Sequence, residues 1–214
     1  NEFVRYCMEN SLIPVLGHAD GICHIYLHEA ADLPRSLPIL IDAKTQATGV
    51  CNAMETLLID EQWSLEDIGL IFKTLEAAGV QLHVDEELSA EFELPVVVDW
   101  RHEYLSLGLS VKRVGGLEEA IDHINRYGSG HTDAVLTEDE QIAKQFMRDV
   151  DSANVYHNCS TRFSDGFRYG FGAEVGVSTS KIHARGPVGL EGLLSYQYRI
   201  YGTGQTVAPY VEGI

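Results

Sequence analysis

Several features are scarce in this sequence, and each scarcity narrows the field. No apolar run approaches the roughly 20 residues of a membrane-spanning helix, and the opening shows no charged-then-apolar signal segment. Basic residues are few: 15 Lys and Arg stand against 32 Asp and Glu, a formal net charge of −17. Nucleic acid and anionic membranes are held by clustered cations, so neither is expected as a partner. A small anionic substrate stays open, since a few placed arginines suffice for it. The four cysteines (Cys7, Cys23, Cys51 and Cys159) are scattered and include no C-x-x-C pair. In a chain of 214 residues, long enough to bury a core without staples, that spacing suits reduced cytoplasmic thiols. Neither the cysteines nor the histidines are spaced for a metal ion, and none is assigned. No glycine-rich dinucleotide fingerprint follows a strand pattern. The opening at Asn1 reads as ordinary domain sequence, so the chain is expected to continue upstream.

What the chain does contain is an alternation of strand and helix patterns. Leu12–Leu16 and Ile22–Leu27 read as strands, Leu33–Gln46 as a helix with prolines near its start, and Glu55–Ile59 as a buried strand. Ser64–Ala78 carries helical periodicity through Leu65, Ile68, Phe72 and Leu75, with Ser64 as N-cap and Gly79 as stop. Strands follow at 80–84, 109–114, 133–136 and 153–157, with helices at 117–127 and from a Thr137 cap to about Val150. This pattern predicts an α/β fold, an open and largely parallel sheet with flanking helices, over residues 1–194. From Cys159 onward glycines punctuate a loop-rich stretch. Residues 195–214 are expected to form a C-terminal arm, an exposed strand or extension that pairs with a further domain or subunit.

Cys51 is the residue most suggestive of chemistry. It lies in Thr48-Gly49-Val50-Cys51-Asn52, at a junction between a helical pattern and a buried strand. A loop there can present a thiol to a cleft and aim backbone N–H groups at it, which favours thiolate and can hold a developing oxyanion. A buried structural cysteine fits the same local sequence.

Longer motifs separate these readings. Gly49-Val50-Cys51 followed by Glu55-Thr56-Leu57-Leu58-Ile59 resembles the nucleophile segment of the aldehyde dehydrogenase superfamily. Glu103-Tyr104-Leu105 and then Val111–Ile121 resemble that superfamily's glutamate-phenylalanine-glycine-proline strand and the helix after it. Ser160-Thr161-Arg162-Phe163-Ser164-Asp165-Gly166, Gly172-Ala173-Glu174-Val175 and His183-Ala184-Arg185-Gly186-Pro187 are similar to one branch in particular, the γ-glutamyl phosphate reductases. The resemblance covers nearly the whole chain, and the block from His183 to Leu193 is its most specific part.

That resemblance implies an activity and a set of roles. Cys51 would attack L-glutamyl 5-phosphate, release phosphate and form a thioester, which NADPH reduces to L-glutamate 5-semialdehyde in proline biosynthesis. Glu103 would hold the ribose of the NADPH/NADP cofactor. Arg162 and Arg185 would take the substrate's phosphate and carboxylate, since guanidinium binds both bidentately. Asn158, Ser160 and Thr161 would orient it. Oxidising members place a water-activating glutamate before a glycine pair. The matching stretch here, Pro14-Val15-Leu16-Gly17-His18, has no carboxylate, as suits a reductase; His18 is either a base or a loop histidine bonded to its surroundings. The family's nucleotide-binding portion has no counterpart in this sequence, so the isolated chain is expected to be inactive. A homo-oligomer is expected, with a glutamate 5-kinase as a further partner. The rival readings are the reductase half of a bifunctional pyrroline-5-carboxylate synthase and a non-enzymatic assembly or binding fragment.

Overall fold

The computed structural model describes residues 2–211. Six strands form one sheet: β1 (Cys23–Leu27), β2 (Met54–Asp60), β3 (Gln81–Val84), β4 (Gly108–Val114), β5 (Thr132–Leu136) and β6 (Asn154–His157). Their order is β3-β4-β2-β1-β5-β6, and every pairing is parallel. Strands β1, β2 and β5 are buried along their whole length, which is why their centres read as unalternating apolar stretches, Ile25–Leu27, Leu57–Ile59 and Ala134–Leu136. This is the open parallel sheet expected from the alternation.

Side-chain alternation divides the core between the two faces of the sheet. On one face Ile25, Leu27, Leu57 and Ile59 pack with the apolar stripes of α2 (Leu33–Thr45) and α3 (Leu65–Ala77). On the other, Tyr26, Leu58 and Val135 meet α5 (Leu117–Tyr127) and α6 (Glu140–Asp149), through Ile121, Ile124 and Phe146. Burying each such aliphatic side chain is worth about 1.5–3 kcal/mol. Helix starts follow local chemistry: Asp32 caps α2 by accepting from Arg35 N–H, and Ser64 caps α3 by accepting from Asp67 N–H. Among the described residues no helix is long and apolar enough to cross a membrane.

Two local expectations need correction, one helix was not foreseen, and of the two forms open to the arm the described residues show the irregular one. Leu12–Leu16 is not a strand; Leu12 and Ile13 lie exposed after α1 (Glu2–Asn10), so the run has no sheet to pair with. Thr137 is not the cap of α6. Asp139 is, its carboxylate accepting from both Gln141 and Ile142 N–H, a stronger cap than a hydroxyl, while the Thr137 hydroxyl accepts from Asp139 N–H. A short helix, α4 (Glu86–Phe92), capped by Asp85, was not anticipated. The arm contains no strand among its described residues: 195–207 has no regular structure, a single 3-10 turn follows at Ala208–Tyr210, and 212–214 lie outside the described residues. The glycine-rich stretch folds into turns and a small antiparallel hairpin, β7 (Gly176–Ser178) with β8 (Gly186–Val188).

Candidate active site

Parallel strands place all their amino ends along one edge of the sheet, and the candidate site is assembled there. Ligands in open α/β sheets usually sit at the opposite, carboxyl edge. Gly21 leads into β1, Cys51 into β2, Glu103 lies shortly before β4, and His131 immediately precedes β5.

Cys51 sits in a tight turn, closed by Ala53 N–H donating to Val50 O at 3.0 Å. Three contacts fix that turn. The Cys23 thiol donates to Cys51 O at 3.2 Å. Asn52 Nδ2 donates to Ser164 O at 2.7 Å, tying the turn to the 3-10 helix Thr161–Phe163. Gly21 backs it: a β-carbon at that position would lie 2.5 Å from the Cys51 α-carbon and carbonyl oxygen, so only glycine fits.

Glu103 reaches the same edge, where its Oε1 accepts from Gly21 N–H at 2.8 Å. Its neighbour Tyr104 donates its backbone N–H to Glu55 Oε2 at 3.1 Å. Glu55 is fully buried on β2 with Lys44 of α2, their Nζ and Oε2 3.1 Å apart, and the ammonium lies 5.8 Å from the Tyr104 ring centroid. Burial dominates both ionisations. It pushes the Glu55 carboxyl up to about 7 despite Lys44, and it lowers Lys44 despite Glu55.

Arg162 also converges on the site. Its residue is buried, Ser160 caps the 3-10 turn that carries it, and Nε donates to Gln46 Oε1 at 2.8 Å. Thr161 is buried in the same turn, its hydroxyl without a hydrogen-bond partner. The guanidinium is close enough to Cys51 to pull its thiol downward. That pull loses. Burial, then the carboxylate of Glu174, push the Cys51 thiol up to about 11, with Glu103 adding to the rise and only Cys51's own backbone and Arg162 opposing it. The junction backbone does favour thiolate, as its position suggests, but burial and the two carboxylates outweigh it. The Cys23 thiol is raised well above its ordinary value, chiefly by complete burial, and burial also raises that of Cys159.

Two substrate candidates lie elsewhere. Asn158 is at the carboxyl edge of the sheet in a left-handed conformation (φ 53°), and its amide is spent on Thr137: Oδ1 accepts from its N–H and Nδ2 donates to its carbonyl. It braces the β5 turn and does not reach Cys51. Arg185 donates to Asp151 Oδ1 at 3.2 Å and Asp151 O at 3.1 Å. Asp151 also pairs with Lys181, and the two cations hold its carboxyl below the usual range. In this structure Arg185 is an ion-pair residue.

The structure adds Gly21, Glu174 and His131 to the site and brings His18, already a candidate, beside them. One nitrogen each of His18 and His131 and the Cys51 sulfur all lie within 4.8 Å of one another. Sequence spacing could not show this, because the three come from the approaches to three different strands. The only local hint was the absence of a carboxylate beside His18.

Residues 100–197 match the aldehyde dehydrogenase family. The chain is 57% identical over 212 residues to a γ-glutamyl phosphate reductase of Pelotomaculum thermopropionicum, covering 98% of this chain and 49% of that protein. The crystal structure of γ-glutamyl phosphate reductase from Thermotoga maritima superposes with a TM-score of 0.91 at 41% identity, covering 96% of this chain and 50% of that one. A glyceraldehyde-3-phosphate dehydrogenase of Methanocaldococcus jannaschii, solved in complex with NADP, shares the fold at 17% identity and a TM-score of 0.62, over 84% of this chain and 48% of that one. The chain spans about half the length of the curated relatives it matches.

Proposed function

The chain belongs with the γ-glutamyl phosphate reductases of the aldehyde dehydrogenase family, of whose length it spans about half, and we propose that it carries the nucleophile half of such an enzyme. The observation that supports this best is the placement of Cys51. It is a partly exposed cysteine at the amino edge of the sheet, where Cys23 is fully buried, and it is held by Gly21, Cys23 and Asn52 with a carboxylate and a buried arginine beside it.

On this reading Cys51 loses its proton and its sulfur attacks the acyl carbon of L-glutamyl 5-phosphate. The acyl–oxygen bond breaks and phosphate departs with its electron pair, leaving a thioester on Sγ. Arg162 offers a permanently charged guanidinium to an anionic group of the substrate, and Ser160 and Thr161 position it through their shared turn. A nicotinamide cofactor, NADPH in the proposed direction, supplies hydride to the thioester carbon. Cys51 leaves as thiolate and regains a proton, and L-glutamate 5-semialdehyde is released.

The cofactor's fit to this chain is partial. Glu103 stands at the Cys51 edge as a carboxylate suited to ribose hydroxyls. The turn from β4 to α5 holds only the pair Gly115-Gly116, and the chain spans about half the length of its relatives, so on this reading the phosphates are held largely outside this chain. The isolated polypeptide should therefore bind reactants incompletely and fail to turn over. The proposal extends to the parent protein: a homo-oligomeric, cytoplasmic enzyme of proline biosynthesis supplied by a glutamate 5-kinase.

The test is the reverse reaction in the full-length protein. Glutamate semialdehyde, phosphate and NADP should yield NADPH, and this should vanish in Cys51→Ser. Turnover retained by that variant would end the reading.

A further inference from the structure

Cys51 has two imidazoles for neighbours, and the proposed thioester chemistry does not use both. His18 precedes β1 in a half-buried loop, and its Nδ1 lies 3.0 Å from Val177 O. A carbonyl only accepts, so Nδ1 carries the proton and Nε2 is left with its lone pair. His131 is fully buried; its Nδ1 is 2.8 Å from the Thr132 hydroxyl, and its Nε2 has no hydrogen-bond partner. Burying a polar atom without a partner is unfavourable, and this one belongs to the residue that completes the cluster with His18 and Cys51. The two rings meet edge to face, their centroids 5.0 Å apart.

We propose that His18, Cys51 and His131 form a three-ligand site for Zn2+ that masks the Cys51 sulfur. The donor set is two imidazole nitrogens and one thiolate, which suits a borderline-soft d10 ion and leaves its fourth position open. The reach is right as well. Zinc bonds of about 2.0–2.3 Å imply ligand–ligand separations of about 3.3–3.6 Å in a tetrahedron, and the three donor atoms already lie within 4.8 Å of one another. Closing the remaining ångström or so falls to Cys51 and His18, the two ligands that are not fully buried. Second-sphere partners exist: Val177 O fixes the His18 tautomer and the Thr132 hydroxyl orients His131. The local potential also favours a cation, since the carboxylates of Glu174 and Glu103 both act on Cys51.

Binding places zinc on the sulfur and releases the thiol proton to solvent; no electron transfer is involved. The site stands whether or not Cys51 is the nucleophile. Its consequence, a reductase reversibly silenced by zinc and restored by a chelator, rests on the function proposed above.

The experiment uses this chain and Co2+ as a spectroscopic stand-in, followed by Zn2+ in competition. One Co2+ per chain should produce a thiolate-to-cobalt charge-transfer band together with the intense visible bands of a tetrahedral ion, and Zn2+ should bleach both. Stoichiometric Zn2+ should also protect Cys51 from an alkylating agent while Cys159 remains reactive. Cys51→Ser should lose the charge-transfer band, and His18→Ala should weaken binding by about 100-fold, the loss of one strong ligand. His131→Ala empties a buried position. It is informative only if its circular dichroism and melting match the parent chain, and otherwise His18→Ala decides. The proposal is overturned if the band survives in Cys51→Ser, if Zn2+ leaves Cys51 alkylation unchanged, or if His18→Ala binds as the parent does. Inactivity of the full-length enzyme in Cys51→Ser would leave these readouts untouched, so the two ideas fail separately.

Discussion

The backbone of Gly21 rests on that of Cys51 so closely that a β-carbon at position 21 would lie 2.5 Å from the Cys51 α-carbon and carbonyl oxygen. The same Gly21 donates its N–H to Glu103. One residue without a side chain therefore sets the spacing between the proposed nucleophile and the proposed ribose ligand. Gly21→Ala should cost about 1–3 kcal/mol, as overpacking against backbone does, measured by denaturant unfolding. Its effect on catalysis should be larger. Displacing a reacting atom by about 1 Å can cost 100-fold, so turnover of the full-length variant should fall by that order while its fold persists. Unchanged turnover would mean the turn absorbs the methyl group.

The buried Lys44–Glu55 pair predicts a pH dependence of stability. The Glu55 carboxyl rises from an ordinary value of 4.5 to about 7 on folding, so the folded state holds this proton more tightly than the unfolded one. Its contribution is complete below about pH 4.5 and is lost as pH climbs through about 7. Glu55→Gln, permanently neutral and of the same shape, should remove that decline: its unfolding free energy should fall less between pH 5 and pH 8 than that of the parent chain. Parallel slopes in the two proteins would show that the pair is ionised without cost.

The arm lends itself to hydrogen exchange. Tyr196, Tyr198, Ile200 and Tyr201 are each more than four-fifths exposed, and no regular structure covers 195–207. Apolar side chains in that state favour a partner surface. Amides from 196 to 207 should exchange nearly unprotected in a monomer of this chain and become protected in the oligomeric full-length protein. Strong protection in a demonstrated monomer would contradict the division at 194/195.

What the sequence disclosed and what it hid follow one physical rule. Strands β1, β2 and β5 were legible because burial on both faces leaves each a short unalternating apolar centre, and α3 because Ser64 caps a stripe of Leu65, Ile68, Phe72 and Leu75. Leu12–Leu16 imitated a strand because composition does not reveal whether an edge is available to pair with. Cys51, Glu103 and Arg162 were found through motifs that resemble a family. His131, 80 positions from Cys51, was hidden because only the parallel sheet brings the starts of β2 and β5 to one edge. Glu174 lay within a quoted motif but had no assigned role until its charge was seen acting on the thiol. Arg185 was named from guanidinium chemistry that suits a phosphate, and in this chain it pairs with Asp151.

The last prediction concerns Cys51 and the charges that govern it. In metal-free chain the thiol stands near 11, raised by burial and then by Glu174 and Glu103, and lowered by Arg162. Only the thiolate alkylates, so the Cys51 labelling rate should rise with pH across the neutral and alkaline range rather than level off near 7. The neighbours should move that rate in opposite directions. Glu174→Gln removes the largest electrostatic cause of the rise and should speed labelling at pH 7.5 several-fold. Arg162→Gln removes a cation that favours thiolate and should slow it. Cys159 supplies the internal control, because burial is the one influence raising its thiol and neither change should alter its rate. Peptide mapping after brief exposure to limiting iodoacetamide separates the sites. In the full-length enzyme Cys51→Ser should lower activity by more than about 10^3-fold, since a hydroxyl with no adjacent strong base is a poor nucleophile. Cys159→Ser should retain most of it. Equal responses of Cys51 labelling to Glu174→Gln and Arg162→Gln would show that burial alone sets this thiol. Activity surviving in Cys51→Ser but lost in Cys159→Ser would move the nucleophile to the other end of the Ser-Thr-Arg turn.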